Sequence, residues 1–226
     1  MLNVEKYYDT NPENEWQRLK RHKIEFDITK RYLSEYIKKK SKILDVGGGP
    51  GRYSIHLAEQ GHEVSLLDLS FANIQFAREK AKEANVEIKQ YIHANALELS
   101  EKVSGEYDVV LCMGPLYHLY QENDRIKVVE LCMKKLRQRG ILFAAFISAY
   151  APMIDFIKNY PEDIIDSKEK LLNYLEDGRN IASELNKGFT DAYFIKPNEI
   201  EAFMDNFDIE KKVITERFEY KGNDLA

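Results

Sequence analysis

Cysteine, long apolar runs and excess positive charge are all scarce in this chain. Its only two cysteines, Cys112 and Cys132, lie in apolar periodic segments, which predicts reduced core thiols of a cytosolic protein and excludes a disulfide framework. No apolar run approaches the roughly 20 residues of a membrane span, and residues 1–16 lack the apolar stretch of a signal peptide. The formal net charge of −5 disfavours nucleic acid as a partner.

Apolar residues are plentiful, at 44% of the 226 positions. A chain of this length and composition can bury a sizeable core without disulfides, so we expect one globular domain over residues 1–226. Its predicted parts are an N-terminal helical arm (1–41), a core (42–148), a substrate-covering insertion (149–197), and a C-terminal helix and strand (198–226).

The run from 42 to 70 has the pattern of strand, glycine turn, helix and second strand. The first apolar strand contains Asp45 and runs into Gly47-Gly48-Gly49-Pro50-Gly51. Glycines without Cβ allow backbone amides to approach a ligand closely, and the helix that follows directs its N-terminal N–H groups at the turn. The second strand delivers Asp68 to the edge of the sheet, where an acid can accept both ribose hydroxyls. This order predicts a nucleotide-type cofactor site.

The spacing of the glycines separates two cofactor classes. A dinucleotide fingerprint that starts at Gly47 would need a small residue at position 52, where the chain has Arg52. The pattern acid-x-G-x-G-x-G is met by Asp45, Gly47, Gly49 and Gly51, and it resembles the first motif of the class I methyltransferases that use S-adenosylmethionine (SAM).

Strand and helix alternation continues beyond Asp68. Ser70 can cap a helix, and strands are predicted over 86–92, 107–113 and 141–147, the last after a helix that ends at Gly140. The resulting fold class is α/β, a doubly wound and mostly parallel sheet of the class I methyltransferase type. The N-terminal helical lid precedes the sheet, and the helical insertion follows strand 5.

The resemblance also implies which residues contact SAM or its product S-adenosylhomocysteine (SAH). Gly47 and Gly49 would line the methionine part, Asp68 the ribose, and Leu69 the adenine face. Asn95 and Ala96 would meet the adenine edge, since the Asn95 amide oxygen can accept a hydrogen bond. The full predicted cofactor set of the core is Asp45, Gly47, Gly48, Gly49, Gly51, Asp68, Leu69, Asn95, Ala96 and Met113.

The segment after the fourth strand, Met113-Gly114-Pro115-Leu116-Tyr117-His118-Leu119, would face the methyl acceptor in similar enzymes. Methyl transfer is an in-line displacement, so orientation supplies much of its rate. With an unperturbed pKa near 6.5, His118 could accept a proton from the nucleophile; the alternative is a histidine that only hydrogen-bonds within the turn. Tyr117 is expected mainly to form a wall of the pocket.

The N-terminal arm begins a helix at Asn11-Pro12 and could simply complete the core. In similar enzymes such an arm folds over the cofactor, which makes Tyr8 and Arg18 candidate contacts. Arg18 could pair with the methionine carboxylate of SAM, although Arg52 competes for that role. A sixth strand is predicted over 209–218, after a helix that Asn198 and Glu201 would cap.

The resemblance predicts SAM-dependent methyl transfer to the oxygen, nitrogen or sulfur of a small organic acceptor. The alternatives are an RNA or protein methyltransferase, a SAM-binding protein without catalysis and an NAD-dependent oxidoreductase. No metal, nucleic acid or membrane is expected as a partner, and the chain is a possible homodimer in the cytoplasm.

Overall fold

A parallel sheet of five strands forms the centre of the computed structural model, which describes residues 2–38, 40–182 and 189–210. The strands lie in the order β3-β2-β1-β4-β5, and every neighbouring pair is parallel. Their bounds are β1 (Lys42–Val46), β2 (Glu63–Asp68), β3 (Gln90–His93), β4 (Tyr107–Cys112) and β5 (Leu136–Ala144). The strand order reverses between β1 and β4, where ligands bind in doubly wound folds.

Helices precede the sheet and connect its strands. The N-terminal arm contains three helices: α1 (Leu2–Thr10), α2 (Pro12–Arg21) and α3 (Lys23–Tyr36). The connections within the sheet contain α4 (Arg52–Glu59), α5 (Phe71–Glu83), a 3₁₀ turn (Ala96–Glu98), α6 (Leu99–Lys102), a second 3₁₀ turn (Pro115–His118) and α7 (Glu122–Lys134).

A smaller unit follows β5. It contains β6 (Ile147–Ser148), α8 (Ala151–Asn159), a 3₁₀ turn (Pro161–Asp163), α9 (Lys168–Glu176), β7 (Arg179–Asn180), β8 (Ala192–Ile195) and α10 (Pro197–Met204). Strands β6, β8 and β7 form a short sheet in that order, parallel between β6 and β8 and antiparallel between β8 and β7.

The core occupies both faces of the five-stranded sheet. On one face, Leu33 of α3, Ile55 of α4 and Ile74 of α5 pack against the strands. On the other face, residues of α6, α7 and α10 do so. Burial on both faces explains why the strands read as continuous apolar runs, and the predicted doubly wound parallel sheet is confirmed.

Short-range signals set several of the helix starts. Ser70 caps α5, since its hydroxyl accepts a hydrogen bond from the Asn73 amide at 3.0 Å. Pro12 occupies the first position of α2, where its missing N–H costs nothing. Both starts agree with the sequence-based predictions.

The junction of α7 and β5 differs from the prediction. The helix ends at Lys134 instead of Gly140, and the strand begins at Leu136. Leu136 pairs with Tyr107, but the next paired residue is Ile141 opposite Val109, so the strand contains a bulge. The apolar residues up to Leu136 keep a helical spacing, so nothing in the sequence indicates that the helix ends before Leu136. In the structure Leu136 pairs with Tyr107 and therefore belongs to the strand.

The C-terminal part departs from prediction as well. Helix α10 begins at Pro197 and has no side-chain cap, so the expected capping by Asn198 and Glu201 is wrong. Of the strand predicted over 209–218, only positions 209 and 210 lie in the described part of the chain, and neither is in a strand.

Two further findings concern cysteine and membranes. Cys112 and Cys132 are free thiols without solvent exposure, as predicted. A hydrogen bond with Cys132 and burial raise the pKa of Cys112 well above its usual value. Within the described residues, every helix is too short or too polar to cross a bilayer.

A buried arginine stabilises the segment that follows β4. Arg125 of α7 is 5% exposed, and its Nη1 donates to the carbonyls of Leu119 and Tyr120 at 2.7 and 2.9 Å. Its guanidinium also lies 3.8 Å from the ring centre of Tyr193.

We expect Arg125→Met to lower the free energy of unfolding by about 2 to 4 kcal/mol, because two carbonyls lose a charged donor. Urea unfolding checks this value. Lys127→Met, at an exposed position of the same helix, is the control and should change stability by less than about 0.5 kcal/mol. Equal stabilities of the two variants would contradict the role given to Arg125.

Candidate active site

Two turns meet at the carboxyl ends of β1 and β4. Gly47 has a φ of +71°, and a Cβ there would lie 2.6 Å from Cδ of Pro115. A Cβ on Gly114 would lie 2.8 Å from the carbonyl oxygen of Gly47. Both positions therefore require glycine, and the contact fixes the turn after β4 against the turn after β1.

Asp68, the last residue of β2, joins the glycine turn to α5. Its Oδ2 accepts the Gly49 N–H at 2.8 Å, and its Oδ1 accepts the Ser70 N–H at 2.9 Å and the Asn73 amide at 3.3 Å. Burial raises the pKa of Asp68, and these hydrogen bonds oppose the shift. Each carboxylate oxygen has two lone-pair directions, so one direction on Oδ2 remains for a further donor such as a ribose hydroxyl.

Asp45 lies behind the turn and is 2% exposed. Its Oδ2 accepts the Ser54 hydroxyl at 2.7 Å. A Cβ on Gly48 would lie 2.7 Å from that oxygen, which explains the second glycine of the run. Burial raises the pKa of Asp45 to about 7, and the charge of Asp68 adds to the shift.

The predicted adenine side lies after β3. Asn95 begins the 3₁₀ turn, because its side-chain oxygen accepts the Leu97 N–H at 3.0 Å while Glu98 accepts the Asn95 N–H at 3.0 Å. The amide oxygen predicted to meet adenine thus already caps this turn. The Asn95 side chain also accepts from the Glu98 backbone N–H, which completes a capping box. An adenine group would therefore have to compete with these backbone donors for the oxygen.

A cavity of about 100 Å³ lies between these elements and the N-terminal arm. Most of the predicted site residues line it: Tyr8, Gly47, Gly49, Asp68, Leu69, Asn95, Ala96, Tyr117 and His118. Gly114, Pro115 and Leu119 of the segment predicted to face the acceptor line it as well. The structure adds residues that the sequence did not single out as contacts: Val4, Glu15, Leu67, Asn73 and Ala94. Of these, Asn73 had a usable signal, since it lies three residues after the Ser70 cap.

Five predicted cofactor residues lie off this cavity: Asp45, Gly48, Gly51, Met113 and Arg18. Gly51 serves helix packing, because a Cβ there would lie 3.0 Å from that of Ala77. Met113 and Arg18 line a second, wider cavity that Tyr8, Glu15 and Tyr117 share with the first.

Arg18 is engaged by its own helices. Its Nε donates to Glu15 at 2.7 Å, and its Nη1 and Nη2 donate to Glu25 at 2.9 and 3.2 Å. A cofactor carboxylate would have to compete with both acids. The other candidate, Arg52, lies between the rings of Trp16 and Phe26, 4.5 and 4.9 Å from their centres.

His118 makes two hydrogen bonds through its ring. Nδ1 lies 2.8 Å from the backbone carbonyl of Asp191, and Nε2 lies 2.9 Å from the hydroxyl of Tyr8. A carbonyl can only accept, so Nδ1 carries the proton. Burial lowers the pKa of His118 to about 4, far below the unperturbed value used in the sequence-based prediction.

Two tyrosines accompany His118. The Tyr117 ring packs edge-on against it with centroids 4.7 Å apart, and the Tyr8 ring does so at 5.4 Å. Burial raises the pKa of both phenols, so both stay protonated at neutral pH. Within the described residues, no cluster of His, Cys, Asp and Glu could hold a metal ion.

Comparison with known proteins agrees with this geometry. Residues 43–140 match the family model described as a methyltransferase domain. The ubiquinone biosynthesis O-methyltransferase of Shewanella sp. (strain ANA-3) is 34% identical over 168 residues, which are 74% of this chain and 63% of that protein. The protein of the same name from Escherichia coli O9:H4 (strain HS) is 27% identical over 77% of this chain and 64% of its own length. The chain thus spans less than two thirds of these relatives.

Solved structures share the fold. Magnesium protoporphyrin IX methyltransferase from Synechocystis PCC 6803, crystallised with bound SAH, aligns with 90% of this chain and 86% of its own, with a TM-score of 0.60 at 18% identity. Residues 43–140 therefore match the model of a methyltransferase domain, and the sheet has the class I fold of the SAM-dependent methyltransferases. The recognition made from the glycine turn and the strand-end acids is confirmed.

The raised pKa of Asp45 has a consequence for stability. In the unfolded chain this carboxyl ionises near pH 4, whereas in the folded protein it stays protonated up to about pH 7. The folded state therefore binds more protons between these values, and the Asp45 contribution to stability falls as pH rises from about 4 to 7.

We expect Asp45→Asn, which cannot ionise, to lack this loss. Urea unfolding at pH 5, 6, 7 and 8 should show the variant gaining on the wild type by up to about 1.4 kcal/mol per pH unit below pH 7. Asp166→Asn, at an exposed position, should follow the wild type. Parallel curves for Asp45→Asn and wild type would show that the buried carboxyl is already ionised.

Proposed function

We propose that this protein transfers the methyl group of SAM to the oxygen, nitrogen or sulfur of a small organic acceptor. The observation that carries the proposal is that one cavity is lined both by predicted cofactor residues and by predicted acceptor residues. Gly49, Asp68 and Asn95 lie on its cofactor side, and Tyr117 and His118 lie where an acceptor would enter.

The residues present suit SAM chemically. Gly49 leaves open space, since the nearest atom to a Cβ there would lie 3.9 Å away. Asp68 offers the remaining lone pair of Oδ2 to a ribose hydroxyl. Leu69 and Ala96 supply apolar surface for adenine, and Asn95 an amide for its edge. When bound, SAM supplies a methyl group on a sulfonium, which is already a good leaving group.

An oxygen acceptor has particular support. Two relatives are named ubiquinone biosynthesis O-methyltransferases, and the neutral Nε2 of His118 can accept a hydrogen bond from a hydroxyl. An imidazole whose pKa is about 4 is too weak a base to remove the proton of an alcohol efficiently. The main role of His118 is therefore to orient the hydroxyl, and the acidic hydroxyl of a phenol suits it best.

The remaining parts of the chain complete the proposal. In this scheme helices α1 and α2 of the arm would cover the cofactor side of the core (42–148), and the described part of the insertion (149–182 and 189–197) would enclose the acceptor. A homodimer and a cytoplasmic location remain predictions. No feature of the described residues favours the RNA, protein or NAD alternatives over this function.

We expect Asp68→Asn to weaken SAH binding by roughly 10- to 150-fold, because the ribose loses a charged acceptor worth about 1.5 to 3 kcal/mol. Isothermal calorimetry with SAH measures the change. Glu106→Gln makes the same chemical substitution at an exposed position and should bind SAH as the wild type does. An affinity of Asp68→Asn equal to that of the control would remove Asp68 from the cofactor site.

We expect His118 to stay neutral, with its proton on Nδ1, from pH 8 to about pH 5, because its pKa is about 4. Long-range ¹H–¹⁵N spectra recorded through this range check the state of the ring. His118→Gln identifies the signal, which should vanish in that variant. A midpoint near pH 6.5 would contradict the desolvated site and restore His118 as an ordinary base.

A further inference from the structure

His118 has only one nitrogen that can receive a hydrogen bond, and Tyr8 already occupies it. The Asp191 carbonyl fixes the proton on Nδ1, so the lone pair is on Nε2. The Tyr8 hydroxyl donates to that lone pair at 2.9 Å. Any other hydroxyl that binds Nε2 must therefore displace the phenol of Tyr8.

We infer that the Tyr8 hydroxyl stands in the position of the acceptor's nucleophilic hydroxyl, as an internal substitute that must leave before the acceptor can bind His118. The inference rests on the proposed function, because it takes His118 as the residue that orients the acceptor. Tyr8 is a positioning residue in this scheme, since it acts through His118.

The identity of the group supports this reading. Tyr8 presents a phenol, the same kind of hydroxyl that the proposed acceptor would present. Its ring meets that of His118 at 81° with centroids 5.4 Å apart, so the hydroxyl approaches Nε2 while the ring fills the cavity. Burial raises the pKa of Tyr8, which keeps the phenol protonated and able to donate.

Tyr8 is held there by α1, which is anchored on both sides of it. Asp9 accepts the Ser70 hydroxyl at 2.6 Å and the Ala72 N–H at 3.1 Å, at the start of α5. At the other end, Asn3 donates to the Asp191 carboxylate at 3.2 Å. These contacts fasten the helix across the cavity with Tyr8 directed at His118.

The cavity beneath α1 is too small for a nucleoside ligand. It measures about 100 Å³, whereas ligand pockets measure about 300 to 1,000 Å³. Because Val4 and Tyr8 form part of its wall, displacing α1 enlarges the cavity and withdraws the phenol from Nε2 in one movement. Opening for the cofactor and freeing of His118 are thus the same event.

Other groups around His118 do not compete for Nε2. Tyr117 contacts the imidazole with its ring edge, and Phe189 packs on it with centroids 5.6 Å apart. The carboxylate of Asp191 accepts from Asn3 and from the Ala182 N–H at 2.8 Å. The other ionisable groups that line the cavity are Glu15 and Asp68.

Tyr8→Phe tests the inference, with Tyr7→Phe as the matched control. Phenylalanine keeps the ring packing of position 8 and removes the donor, while Tyr7 packs its ring edge-on against that of Tyr8, with centroids 5.2 Å apart. The full chain without SAH, in which Tyr8 occupies Nε2, is titrated with catechol as the phenolic probe, and SAH is titrated in a separate experiment. Long-range ¹H–¹⁵N spectra follow Nε2 of His118, and calorimetry follows both ligands.

In Tyr8→Phe without catechol, the Nε2 signal should move toward that of an unbonded imidazole nitrogen. Catechol should then bind roughly 3- to 10-fold more tightly than to the wild type, because it no longer competes with an internal donor. It should also return the Nε2 signal toward its original position. Tyr7→Phe should match the wild type in both measurements.

Asp9→Ala provides a second variant, since it loosens α1 and leaves both phenols in place. It should tighten catechol binding in the same direction as Tyr8→Phe. Catechol affinity that is unchanged or weaker in both variants, or a Nε2 signal that Tyr8→Phe does not move, overturns the inference. Failure of the wild type to bind SAH would instead overturn the proposed function, and the calorimetry with SAH separates the two results.

Discussion

The close approach between the turns after β1 and β4 sets the geometry of the candidate site at the carboxyl edge of the sheet. Gly47 and Gly114 are so near each other that neither can carry a Cβ without entering Pro115 or a backbone carbonyl. This contact needs no side-chain chemistry. The backbones of these two turns meet beside the cavity. The cofactor side and the acceptor side of the cavity are therefore held in a fixed position relative to each other.

Asp68 extends this constraint to the helices. One carboxylate gathers the amide of Gly49, the amide of Ser70 and the side chain of Asn73, and Ser70 in turn binds Asp9 of the arm. A chain of hydrogen bonds therefore runs from the glycine turn through the start of α5 to α1. The residue expected to recognise the ribose also determines where the covering helix sits.

The sequence predicted those parts of the site whose signals are local. Asp45, the glycines and Asp68 lie within a short run, so strand and turn propensities place them at the correct sheet edge. The two hydrogen bonds of His118 could not be predicted, because Tyr8 and Asp191 lie far from His118 in the chain. The pKa of His118 was missed for the same reason, since desolvation depends on the segments that close over it. Glu15 and Glu25, the partners of Arg18, lie close to it in sequence, but the resemblance directed Arg18 at the cofactor instead. The boundary at Leu136 was missed because strand pairing overrode a helical pattern.

The two cysteines have a use that does not depend on any ligand. Cys112 ends β4 and Cys132 lies on α7, and both are fully buried in the same layer. Only the thiolate reacts readily with alkylating reagents, and a raised pKa suppresses that form at Cys112. Their labelling rate therefore reports how often α7 separates from the sheet, and it distinguishes opening of the core from movement of the arm.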